Sequence, residues 1–372
     1  MKQILCQGLW MVLTAAVTVV CVARVSTAPV ATFVYVGNAE SNDICVFQLN
    51  RQTGELTLIE TVPIPGVVKS GMSTPMTVSP DRRFLYVATR GEPQAVTTFA
   101  IDAKSGKLKP IGSGPLADSM PYIATDRTGR WLFAASYPGH KLTVSAVNAQ
   151  GIVQPSQQIL ENHTNAHSLL ADAKNRFVLA MTLGNDLVNV FKFDAKTGRL
   201  EPNTPPSVSV KAKTGPRHFA FHPKGKLVYV LGELDATIHV FDYDANKGQL
   251  KEKQSVSGLQ PGTTGRIAAA DLHITPDGKF LYASERTSST LAGFRINPAD
   301  GTLTAIEIIP TEAQPRGFNI DSTGSYLLAA GQRSHRLSSY RIESGTGKLT
   351  KLKDYAMGKS PNWIEIVVFP SR

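Results

Sequence analysis

The sequence predicts an all-β, seven-bladed β-propeller closed by pairing its N- and C-terminal strands, and two observations carry that prediction. One unit recurs along the chain, as MTVSPDRRFLYVATR, YIATDRTGRWLFAASY, HSLLADAKNRFVLAMT, RHFAFHPKGKLVYVLGE, DLHITPDGKFLYASER and GFNIDSTGSYLLAAGQ. Its turns, centred near Asp81, Thr128, Lys174, Lys224, Asp277 and Thr323, are spaced by 47, 46, 50, 53 and 46 residues, which is the period of a propeller blade. The second observation lies at the ends. FVYVGN at 33–38 matches the second strand of the unit without its first, and WIEIVVF at 363–369 matches a first strand without its second. Pairing the two completes a seventh blade and leaves no exposed edge at the seam.

Within each copy the elements follow in a fixed order. An apolar strand leads to a turn containing Pro or Asp and usually Gly, then to a second apolar strand and a polar tip. An alternating third strand follows, such as ICVFQLN, VNVFKFD, TIHVFDYD or LAGFRIN. Turn signals at Thr53-Gly54, Ser105-Gly106, Thr197-Gly198, Asp300-Gly301 and Thr346-Gly347 introduce a short fourth strand, giving the four-stranded hairpin pattern of a blade.

The N-terminal segment reads differently. Lys2, the mostly apolar run from Ile4 to Val22 and the small residues Ala23, Ser26 and Ala28 have the layout of a secretory signal peptide. This divides the chain into a signal at 1–28 and a propeller at 29–372, and predicts export to the periplasm or medium with no stable membrane span after cleavage. A retained anchor is the competing reading. Cys6 and Cys21 fall in this segment, so only Cys45 remains for the propeller and no internal disulfide can form.

A lone cysteine offers no thiolate zinc site or haem attachment, and no GxSxG, HExxH or Walker-type loop is present. Chemistry without a metal or cofactor is therefore expected. Removing Lys2 and Arg24 lowers the formal charge from +10 by two to +8, and no run of five basic residues occurs. Nucleic acid is accordingly not an expected partner, and the positive charge better suits an anionic small molecule. A monomer is favoured.

The candidate site follows from strand direction. The first strand of a blade runs along the central channel and the second returns beside it, so residues equidistant from the turn meet at one mouth. Seven positions before each turn stand Thr74, Pro121, His167, Arg217, Ala270 and Arg316; nine positions after stand Arg90, Tyr137, Leu183, Glu233, Arg286 and Gln332. Four arginines, a histidine, a glutamate and a tyrosine thus collect in strands otherwise made of Val, Leu, Ala and Phe. Such a set makes a cationic pocket in which guanidinium forks bind an anion. Glu233 is either the ion-pair partner of Arg217 or a general base, and His167 is the competing base or acid. His273 lies further along its strand; His163, His218 and His222 fall outside the mouth register.

At these residues the chain resembles the bacterial propeller-type 6-phosphogluconolactonases and the wider lactonase family. The runs GPRHFAFHP, AADLHITPDGKFLYASERTSS and QPRGFNIDSTGSYLLAAGQRSH carry the likeness, which extends over most of 31–369. The resemblance implies hydrolysis of 6-phospho-D-glucono-1,5-lactone to 6-phosphogluconate, as in the oxidative pentose phosphate route, without metal or nucleotide. The His, Arg and Glu set of related propellers that act on muconolactone rings corresponds here to His167, Arg217 and Glu233. Arg286 is implied as a further anion binder. The mouth register itself adds Arg90, Tyr137 and Arg316 as candidate substrate contacts, with His273 as a secondary one. The export signal departs from the cytoplasmic enzymes and points to a non-phosphorylated aldonolactone as an alternative substrate. A muconate-type lactonising isomerase and a non-catalytic exported binding propeller are the other readings.

Overall fold

Strand-forming residues alternating with polar ones fold every copy of the repeat into a four-stranded antiparallel sheet, and the computed structural model, which describes residues 31–370, holds seven such sheets. The predicted signal segment, with Cys6 and Cys21, lies outside the described residues. We number the blades by sequence and letter their strands a to d from the channel outward. The a strands are Met76–Val78, Tyr122–Thr125, Ala166–Ala171, Pro216–Phe221, Ala269–Ile274 and Pro315–Ile320 in blades 1 to 6, and Pro361–Phe369 in blade 7. Blade 7 is completed by Ala31–Asn38, Asp43–Leu49 and Leu56–Pro63, so the seam expected from the half-repeats forms between strand a of the C-terminus and strand b of the N-terminus. Tyr35 stands opposite Glu365 in that ladder.

The b strands are nearly continuous apolar runs because both their faces are covered by neighbouring blades, whereas the d strands are largely exposed. The core is therefore a set of layers between blades: Phe133, Leu142 and Val144 of blade 2, for example, pack against Leu169, Val178, Phe191 and Phe193 of blade 3. A repeated polar contact fixes the spacing. Tyr35, Tyr229, Tyr282 and Tyr326 on b strands each donate a hydroxyl proton to a c–d turn carbonyl of the next blade, at Gly106, Gly301, Gly347 and Gln52 respectively. The turn at Gly106 must be glycine for two reasons. Its φ is +73°, and a Cβ would sit 2.4 Å from the Phe33 ring of the preceding blade. Apart from one 3₁₀ turn at Leu183–Asn185, the described residues hold no helix.

Candidate active site

The b strands end at Thr89, Ser136, Thr182, Gly232, Glu285 and Gly331, so the six residues expected nine positions after each turn are the first to leave strand b. All six project from the same end of the ring. Their counterparts on the a strands are set by a second device. In blades 3, 4 and 6 the a–b ladder skips one residue of strand a, and the skipped residues are His167, Arg217 and Arg316. Asn362 is skipped in the same way in blade 7. A bulge breaks the alternation of side chains and re-aims the extra one, here at the channel mouth.

These residues surround a cavity of about 870 Å³ whose walls include Arg90, Tyr137, Arg286, Arg316 and Gln332. Loop residues Met72, Arg266 and Gln314 also line it; they have no fixed place in the repeat, and the sequence register gave no signal for them. His167, Arg217 and Glu233 form the layer behind. Arg217 is only 1% exposed and His167 4%. Glu233 is held by its backbone, accepting from Ala269 N–H at 3.0 Å and donating to Gly215 at 2.8 Å, which ties blades 4 and 5 together at this point.

One carboxylate joins two guanidiniums. Glu233 Oε2 lies 2.8 Å from Arg217 Nε and Oε1 lies 2.8 Å from Arg286 Nη2. The Arg217 contact is a bent ion pair rather than an aligned hydrogen bond. Arg217 also donates to the Ala270 carbonyl, and Arg286 Nε donates to Ala268 at 2.9 Å. Burial alone would raise the Glu233 carboxyl, but Arg217 and Arg286 outweigh it and hold the group below the ordinary glutamate range. Glu233 is therefore an anion held between two cations.

Arg90 is held by Ser119 Oγ at 3.2 Å and Ser73 Oγ at 3.1 Å, and burial pushes it down to about 10. Arg316 forms no ion pair with a carboxylate among the described residues. Burial first, then repulsion from Arg217, Arg286 and Arg90, disfavours its charged form. Four guanidiniums thus face one carboxylate, an excess that an incoming anion would relieve.

His167 meets Tyr137 edge-on at 6.2 Å between ring centroids. Burial and the neighbouring Arg217 hold it well below the usual histidine range, so it is neutral near pH 7. The Tyr137 hydroxyl is kept protonated by burial and the nearby Glu233 charge.

His273 is not at the mouth. It lines a second cavity of about 320 Å³ deeper in the channel, with His218, Asp271, Trp363 and Glu365. Three residues further along its strand than the mouth position, it is carried past the pocket by the strand's rise, as its place in the repeat implied. His218 has the opposite history. Simple alternation would turn it away from its neighbour Arg217, but the bulge at Arg217 lets both side chains face the channel. Asp271 sits in the corresponding irregularity of blade 5, where Ala270 and Asp271 together oppose Ser284.

The sequence model of the seven-bladed β-propeller lactonases matches residues 63–366. The chain belongs to this lactonase family. It is 40% identical over 334 residues to a 6-phosphogluconolactonase of Pectobacterium carotovorum, covering 90% of this chain and 98% of the relative. Identity to a 6-phosphogluconolactonase of Serratia proteamaculans is 39% with the same coverage. Among solved structures, a periplasmic gluconolactonase of Pseudomonas aeruginosa superposes with a TM-score of 0.83 at 25% identity, covering 92% of this chain and all of that one. Family membership identifies the reaction class as hydrolysis of a cyclic ester.

Proposed function

We propose that this lactonase hydrolyses 6-phospho-D-glucono-1,5-lactone to 6-phosphogluconate at the cationic mouth. The observation that carries the reading is Arg316, a guanidinium without a carboxylate partner among the described residues, facing the same cavity as Arg90 and Arg286. The high identity to 6-phosphogluconolactonases supports it. In this reading Arg316 and Arg90 take the phosphate, while Arg286 and Arg217, braced by Glu233, stabilise the oxyanion that forms as water adds to the lactone carbonyl. His167 accepts the proton of the attacking water. The tetrahedral intermediate then expels the ring oxygen, which takes the proton back from the imidazolium, directly or relayed through the Tyr137 hydroxyl, and the carboxylic acid so formed releases its proton to solvent and leaves as a carboxylate.

Bound anion also makes His167 a better base. The imidazole is kept neutral partly by the positive charges of Arg217, Arg316 and Arg90, and a phosphate that neutralises them raises its affinity for a proton. The substrate's own charge is thus coupled to turnover.

The test is ring opening by the purified protein on 6-phosphogluconolactone and on gluconolactone, each corrected for spontaneous hydrolysis. Preference for the phosphorylated ring is expected. Preference for gluconolactone would overturn the phosphate assignment and favour the unphosphorylated substrate that an exported protein would meet. Export itself is part of the proposal, resting on Lys2, the apolar run Ile4 to Val22 and the small residues that follow. An Arg316→Met variant separates the roles. KM for the phosphorylated lactone should rise roughly 10- to 100-fold, the loss of one charge-assisted contact, with little change on gluconolactone. Equal losses on both would remove Arg316 from the phosphate subsite.

A further inference from the structure

The channel behind the mouth contains an arrangement that the reaction described above does not use. Asp271 is surrounded by donors. Its Oδ1 lies 2.7 Å from His218 Nδ1 and accepts from Leu272 N–H at 3.0 Å; its Oδ2 lies 3.2 Å from His273 Nε2 and accepts from Phe318 N–H at 3.2 Å. Burial would favour the neutral acid, but His273 and His218 outweigh it and keep Asp271 ionised. An ionised carboxylate only accepts hydrogen bonds, so the proton of His218 must sit on Nδ1. Burial and Arg217 push His218 down to about 4, which leaves its Nε2 as a bare lone pair.

That Nε2 is buried without a hydrogen-bond partner, and so is Nδ1 of His167. The two imidazoles are neighbours, 5.1 Å between centroids and inclined at 62°. The strands that carry them are pinned together by Ser168 Oγ, which donates to the Arg217 carbonyl at 2.6 Å. A proton on His167 Nε2 would leave two buried acceptors side by side with no donor between them. A proton on Nδ1 gives one donor and one acceptor, able to pair through a small ring rotation or one bridging water.

We propose that Asp271 and His218 are positioning residues that fix His167 in the tautomer protonated at Nδ1, leaving Nε2 free to take the proton of the attacking water. The proposal deepens the reading of His167 as proton acceptor and rests on it for its catalytic meaning. The tautomer itself does not depend on that reading. His273, held against Asp271 and on the side of Glu365, closes the far end of the chain: Glu365 accepts from Trp363 Nε1 at 3.0 Å and is raised by burial to about 7.

The deciding measurement is a long-range ¹H–¹⁵N correlation spectrum of the wild-type protein with ¹⁵N-labelled histidine, the His167 signals assigned from their loss in His167→Gln. Protonated Nδ1 and unprotonated Nε2 are expected for both His167 and His218. A proton on His167 Nε2 overturns the relay, whatever the lactonase assay gives. Conversely, an inactive protein with the expected spectrum would remove the hydrolytic reading and leave the relay standing. The Asp271→Asn variant supplies the kinetic arm. Its kcat should fall roughly 10- to 100-fold, as for other groups that orient a reacting ligand from behind, at unchanged KM. Wild-type kcat in a folded Asp271→Asn protein would refute the relay, and if the variant does not fold the wild-type spectrum still decides.

Discussion

In the His167→Gln variant kcat should fall by roughly 10²- to 10⁴-fold, the usual contribution of a positioned proton acceptor, while KM changes little. Glutamine keeps a polar side chain at the bulge but cannot accept and return a proton. The pH dependence should carry the same signature. His167 in the free enzyme is held well below 6.5, first by burial and then by Arg217, so it is unprotonated and competent at neutral pH. Activity is lost as pH falls through that lowered value. The acid limb of kcat/KM, which reports the free enzyme, should therefore lie below pH 6.5. The limb of kcat should lie higher, because a bound anion offsets the arginines that repel the proton. Wild-type turnover in His167→Gln, or coincident limbs for the two parameters, would assign the proton transfer to another group.

The ring and most of its mouth were legible in the sequence because both depend on the turn. The a–b hairpin sets a fixed distance from the turn to the channel end, and counting along it located His167, Arg217, Arg316, Arg90, Tyr137, Glu233 and Arg286 without knowledge of any contact. The same counting assumes unbroken alternation. Where strand a bulges, at Arg217 or at Ala270 and Asp271, consecutive side chains share the channel, so His218 was set aside as off-register and Asp271 went unread. Glu365 was hidden for a different reason: its blade is assembled from both chain ends, so no local turn supplies a frame for it. Loop residues such as Arg266 have no register at all. The pairing of Glu233 with two guanidiniums also lay beyond the sequence, since it depends on Arg217 and Arg286 converging on one carboxylate within 2.8 Å.

That convergence predicts the largest stability effect. Glu233→Gln leaves Arg217, 1% exposed, as a buried charge without its counter-ion, and breaking such a pair costs roughly 3–5 kcal/mol. At roughly 2 °C per kcal/mol for a chain of this size, Tm at neutral pH should drop by about 6–10 °C, with turnover slowed because the two guanidiniums lose their alignment. The sign of the pH dependence follows from the direction of the shift. The folded carboxyl lies below its ordinary value of 4.5, so the folded state binds its proton less readily than the unfolded chain. The stabilisation is complete above about pH 4.5 and is lost as pH falls through the lowered folded value, so the gap between wild type and variant should close in acid. Inorganic phosphate should restore part of the lost Tm by supplying a negative charge to the same arginines, and should raise the variant's Tm more than that of the wild type. A variant as stable as the wild type at pH 7, or a phosphate response equal in both, would mean that Glu233 is not the counter-ion on which this buried cationic cluster depends.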